Sequence, residues 1–172
     1  LGEKAVTHGK KIIGLNPGAS WPAKMWSWEK YAALADRLID DHNADILVIQ
    51  GPGQGTLAQQ VADTMKHSPI IVDYLPIRQV TALINRCAVF VSNDSGPMHI
   101  AAAVETPTVG IFGPSDAEIW FPYSESNDCY SIKPDVPFCC GKDFCTEPVS
   151  CITTIGVDEV IHLVRKAMDG SP

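Results

Sequence analysis

Ala88–His99 reads AVFVSNDSGPMH, and this stretch decides the fold. Ala88–Ser92 is a short apolar run without polar alternation, the pattern of a strand buried on both faces. Asn93-Asp94-Ser95-Gly96 stops it with turn-forming residues. Gly96 and Pro97 suit an N-cap and a first helical position, where proline's fixed φ and missing N–H carry no penalty. A helix over Met98–Val104 follows. Thr108–Phe112 (TVGIF) is then the next apolar run, closed by Gly113-Pro114.

The same strand–turn–helix unit recurs on both sides. Lys11–Leu15 (KIIGL) ends at Asn16-Pro17-Gly18. Ser27 caps a helix running to about His42, with Glu29 in its first turn and Tyr31, Leu34, Ala35, Leu38 and Ile39 at helical spacing. Asp45–Ile49 (DILVI) ends at Gly51-Pro52-Gly53 and leads to a helix over Thr56–Lys66. Ile70–Val72 is a third strand. Pro76 opens a helix whose apolar face carries Ile77, Val80, Leu83 and Ile84. Tyr130–Lys133 reads as a sixth strand, Pro134–Thr154 as a proline- and cysteine-rich loop, and Val157–Met168 as a last helix before Gly170. Apolar strands alternating with amphipathic helices predict an α/β fold, a doubly wound, Rossmann-like parallel sheet covered on both faces. Right-handed crossovers place every strand's C-terminal end on one edge, where ligands bind. The first and fourth strands are expected to be neighbours where the strand order reverses.

Composition narrows the function classes. The chain has 172 residues, the size of one domain, and needs no staple to fold. Its net charge of −7 speaks against a general nucleic-acid binder, which needs a basic face. No run approaches the roughly 20 apolar residues of a spanning helix, and no signal peptide is visible. The chain begins with Leu1, so residues 1–10 are expected to be a linker from a preceding domain. Four of the six cysteines crowd into Cys139–Cys151. An α/β chain of this length favours a reduced compartment over a disulfide framework. Cys139, Cys140, Cys145 and Cys151 lack the paired spacing of a zinc site, so packed structural thiols are expected and no metal.

The strand-end turns carry the candidate chemistry. At Asn93–His99 the N–H groups opening the helix face outward at the positive end of its dipole, a natural seat for a phosphate. Gly96 permits close approach, Ser95 adds a hydroxyl, and His99 lies in the first turn. Asp94, an acceptor when ionised, suits sugar or ribose hydroxyls. The same residues also read as a plain helix cap. After the first strand, Asn16–Trp26 (NPGASWPAKMW) places Ser20 and Lys24. Lys24 suits a diphosphate as a point charge, or is an exposed lysine between two core tryptophans. Gly51-Pro52-Gly53-Gln54-Gly55 is neither a dinucleotide fingerprint nor a P-loop and reads equally as a flexible turn.

Taken in order, these motifs resemble the family-nine glycosyltransferases. The match rests on NPGAS with Lys24-x-Trp26, on Gly51-Pro52-Gly53, on Asn93–His99 followed by Ala101–Ala103, and on Pro107–Pro114 (PTVGIFGP). It runs from about Lys11 to Met168. The resemblance implies the C-terminal half of a GT-B glycosyltransferase, with residues 11–172 as the nucleotide-sugar donor-binding domain. It implies an inverting transfer, typically of heptose from ADP-heptose to the lipopolysaccharide core, without a cofactor. Ser20, Lys24, Gln54, Asp94, Ser95, Gly96 and His99 fall at donor-binding positions of the family. Many members carry glutamate where Gln54 stands, facing the ribose hydroxyls. No residue here matches the acceptor-activating carboxylate, which the family keeps in its N-terminal domain, so no catalytic residue is expected in this chain. The implied partners are a nucleotide-diphosphate sugar and, through the other domain, a lipid-linked saccharide. The implied location is the cytoplasm, with room for peripheral association at the inner face of the inner membrane. A non-catalytic nucleotide-sugar-binding module and another GT-B enzyme, such as a sugar-nucleotide epimerase, are the alternatives.

Overall fold

The computed structural model describes residues 9–125, 128–135, 145 and 150–170. Its elements in chain order are β1 (Ile12–Asn16), α1 (Trp28–His42), β2 (Asp45–Ile49), α2 (Gly55–Thr64), β3 (Ile70–Val72), α3 (Ile77–Ile84), β4 (Val89–Asn93), α4 (Gly96–Ala103), β5 (Thr108–Ile111), β6 (Cys129–Ile132) and α5 (Val157–Asp169). Short 3-10 turns cover Pro22–Lys24 and Cys151–Thr154. All strands pair in parallel in the order β3-β2-β1-β4-β5-β6. This is the predicted doubly wound sheet, with the reversal between β1 and β4.

Strand alternation divides the core into two layers. Ile13, Leu15, Ile46, Val48, Val89, Val91, Val109 and Ile111 face α1, α2 and α5. Leu47, Ile49, Phe90 and Val72 face the layer of α3 and α4 through Ile84 and Ala101. Ser27 caps α1 by accepting the Lys30 N–H, as its sequence position predicts. Asn43, in the left-handed region at φ 48°, ends that helix, and Gly170 at φ 58° ends α5.

Several boundaries differ from expectation, each for a local reason. β1 and β4 end one residue later than predicted, on Asn16 and Asn93, because both amides find buried partners. α2 stops at Thr64, short of Lys66. The Asp36 carboxylate from α1 accepts the Lys66 and His67 N–H groups at 2.9 and 3.1 Å, drawing the chain off the helical path. α4 starts earlier than Met98, with Ser95 at the N-cap and Gly96 in the helix. Ile77, expected on the buried face of α3, is 67% exposed, since it opens that helix at the sheet's C-terminal edge. Residues 1–8 of the expected linker, and Cys139 and Cys140 of the cysteine loop, lie outside the described residues. Among the described residues no group of histidine, cysteine and acidic side chains is placed to hold a metal ion.

The turn after β5 lies hard against the turn after β1. A Cβ on Gly113 would meet the backbone carbonyl oxygen of Ala23 at 2.5 Å, and backbone cannot rotate aside as a side chain does. Gly113→Ala is therefore expected to destabilise the fold by about 1–3 kcal/mol. A melting temperature equal to wild type would show that the two turns are not held at this spacing.

Candidate functional site

The site forms where β1 and β4 lie side by side. Both strands end on a buried asparagine, and the two amides stitch the following turns together. Asn16 Nδ2 donates to Ser92 Oγ at 3.0 Å, Ser95 Oγ at 2.9 Å and Gly18 O at 3.2 Å. Asn93 Nδ2 donates to Pro17 O at 2.7 Å, while its Oδ1 accepts the Trp26 N–H and the Tyr31 hydroxyl, each at 3.1 Å. Burial pushes the Tyr31 phenol far above its ordinary pKa, so it remains a donor. Buried this deeply, each of these groups must be satisfied within the protein.

On this frame sits an ion pair. Lys24 Nζ lies 2.6 Å from Asp94 Oδ2, and the side chains are 16% and 4% exposed. The Ser115 hydroxyl, from the turn after β5, donates to the same oxygen. The Trp21 ring centroid lies 4.8 Å from the Lys24 ammonium. Lys24 is thus not the solitary point charge or loose surface lysine that its sequence context suggests. It neutralises Asp94, yet an ammonium has three donors and this pair uses one. Asp94 Oδ1 accepts no hydrogen bond among the described residues and keeps contact with solvent.

The other expected residues distribute around this pair. Ser95 is at the α4 N-cap but does not cap the helix. Its hydroxyl accepts from Asn16 and donates to Asn93 O at 3.1 Å, so it turns inward rather than toward a ligand. Gly96 is exposed, and a Cβ there would meet nothing within 4 Å. His99 is half-buried in the first turn of α4. Ser20 is exposed at the rim. Gln54 is engaged at both ends of its amide: Nε2 donates to Ala19 O at 3.0 Å and Oε1 accepts the Gly51 N–H at 3.2 Å. It ties the β1 and β2 turns together and packs where a side chain on Gly18 would otherwise sit. Beside it a groove of about 490 Å³ is walled by Pro22, Met25, Trp28, Leu57 and Gln60, without a charged residue.

Sequence reasoning brought Lys24, Asp94, Ser95 and Gly96 to one edge. It missed Asn16, Ser92, Asn93, Tyr31 and Ser115. The available signal was an asparagine directly after each of two fully apolar strands, which reads as a turn former. A polar side chain at the end of a buried parallel strand also needs a buried partner, and the neighbouring strand's end and turn are placed to supply one.

Comparison with known proteins identifies the family of the chain. Residues 2–145 match the model of glycosyltransferase family 9 (heptosyltransferase). The lipooligosaccharide heptosyltransferase 2 of Campylobacter jejuni is 36% identical over 126 residues, 70% of this chain and 39% of that protein. The crystal structure of a family 9 glycosyl transferase from Veillonella parvula superposes with a TM-score of 0.85 at 25% identity, covering 97% of this chain and 48% of that one. The Escherichia coli ADP-heptose lipopolysaccharide heptosyltransferase II superposes with a TM-score of 0.79 at 24% identity, covering 94% and 47%. The chain therefore spans less than half the length of these relatives. No helix among the described residues is long and apolar enough to cross a membrane. By its matched residues and its motifs, the chain belongs to glycosyltransferase family 9.

Proposed function

We propose that these residues form the donor-binding half of an inverting heptosyltransferase, which binds a nucleotide-diphosphate sugar such as ADP-heptose for transfer to a lipid-linked core saccharide. The carrying observation is the Lys24 ammonium, anchored on Asp94 with two donors unspent, beside the exposed start of α4 at the sheet reversal. A diphosphate seated there meets the ammonium on one side and backbone N–H groups at a positive helix end on the other. The nucleoside then extends toward the β2 and β3 turns, past Gln54. As the glycosidic bond breaks, negative charge grows on the departing diphosphate, and these fixed groups stabilise it in place. They carry that charge without a metal. Activation of the acceptor belongs, in this reading, to a base outside these residues. The isolated chain then binds donor and transfers nothing. Membership of the heptosyltransferase family and the 36% identity to the Campylobacter jejuni heptosyltransferase support this reading. ADP-heptose is the donor for which the Escherichia coli relative is named.

Two substitutions test it. Lys24→Ala is expected to weaken ADP binding by at least about tenfold and to leave adenosine binding unchanged, measured by calorimetry. It also strands a buried carboxylate, so the melting temperature should fall. Asp94→Asn in the same protein should restore the melting temperature but not ADP affinity. An unchanged ADP affinity, or an equal loss for adenosine, would place the diphosphate elsewhere. Gly96→Val probes the other wall. The space around Gly96 is open, with nothing within 4 Å of a Cβ placed there. The variant should melt like wild type and lose ADP binding. If it binds ADP normally, the start of α4 is not the phosphate seat.

A further inference from the structure

Three adjacent strand ends converge on one carboxylate oxygen. Asp94 follows β4, Lys24 lies beyond β1, and Ser115 lies beyond β5, in the sheet order β1-β4-β5. Lys24 Nζ and Ser115 Oγ both donate to Asp94 Oδ2. Oδ1 has no partner among the described residues, although the side chain as a whole is 4% exposed. From this division of the two oxygens we infer that Ser115 is a positioning residue: it fixes the plane of the Asp94 carboxylate so that Oδ1 is presented to a hydroxyl of the bound ligand.

The reasoning is geometric. The terminal torsion of an aspartate is soft and two-fold, so an ion pair with a long lysine chain leaves the carboxylate free to swing. A second donor on the same oxygen, from a different strand end, removes that freedom. The free oxygen then has one direction, and an ionised carboxylate oxygen accepts only. It takes a hydroxyl and repels a phosphate oxygen. Ser115 thereby separates the two parts of a sugar nucleotide, with phosphate toward the spare ammonium donors of Lys24 and sugar hydroxyl toward Oδ1. This inference rests on the donor-binding reading.

The test compares ADP-heptose with ADP on wild type, Ser115→Ala and Ser115→Thr. Wild type should prefer the sugar nucleotide. Ser115→Ala should lose that preference by about tenfold while binding ADP as before, and Ser115→Thr, which keeps the hydroxyl, should retain it. An equal loss for both ligands would make Ser115 merely structural, and an unchanged preference would remove its role; either overturns the inference. A wild type that binds ADP without preferring ADP-heptose also overturns it and leaves the donor site standing. Failure to bind either ligand refutes the donor-binding reading instead. The positioning role is then judged from crystals of the unliganded protein. Ser115→Ala should show the Asp94 carboxylate in more than one orientation, and a single wild-type orientation overturns the inference.

Discussion

Two buried asparagines, Asn16 and Asn93, close the ends of β1 and β4, and the rest of this sheet edge hangs on the bonds each makes to the other's strand end and turn. A parallel sheet delivers its strand ends to one edge but does not fix the turns that follow them. Here the Asn93 amide grips Pro17 and Trp26 of the β1 turn, and the Asn16 amide grips Ser92 and Ser95 of the β4 turn. Each such bond contributes only about 1 kcal/mol net, but a buried amide left unpaired costs more than a made bond returns. The pair is therefore all-or-none. Tyr31 ties it to α1 through its donor on Asn16 O and Asn93 Oδ1, so the helix that covers the sheet also holds the turns.

That frame makes room for a feature that stability alone does not favour. A nearly buried Lys24–Asp94 pair must overcome the desolvation of two charges, and apolar residues of similar volume often do as well or better in such places. Its presence at the sheet reversal, rather than in a core layer, fits a pair kept for what it offers a ligand. Asp94 holds the ammonium in place, Trp21 covers one side of it, and the ammonium keeps two donors for an anion. A lone lysine on the same turn would lose more side-chain entropy on binding.

Much of the architecture was legible from hydrophobic runs and turn residues. The strands, their parallel order and the two-sided core follow from apolar stretches too short and too continuous to be anything but buried strands. The resemblance of NDSGPMH and NPGAS to one family supplied the functional reading. What escaped is long-range and polar. Nothing local in Asn16 or Asn93 says that each bonds across the strand boundary, nor that Ser115 reaches back to Asp94. The early stop of α2 needs Asp36, some thirty residues upstream, to take the Lys66 N–H. Lys24 illustrates the difference best: the sequence offers it as a lone cation beyond the first strand, but its partner lies 70 positions away and becomes visible only in three dimensions.

The internal bonding also explains how the proposed donor site can be preformed within less than half of the relatives' length. The side chains that hold Lys24, Asp94 and the start of α4 come from β1, β4, β5 and their turns, with Tyr31 of α1 behind them, all elements of one folded unit. Packing against another domain is not needed to set their spacing. In the proposed reading this divides the transfer reaction by its electrostatic demands. Stabilising a departing diphosphate requires fixed cations and dipoles already aimed at the leaving group, and a rigid sheet edge supplies them. Activating an acceptor requires a base that approaches the other face of the sugar. Asp94 does not fit that second task, because one of its oxygens is committed to Lys24 and Ser115 and the carboxylate is thereby fitted to orient a hydroxyl. An inverting transfer, with nucleophile and leaving group on opposite faces, suits a cleft whose two walls carry these two tasks separately.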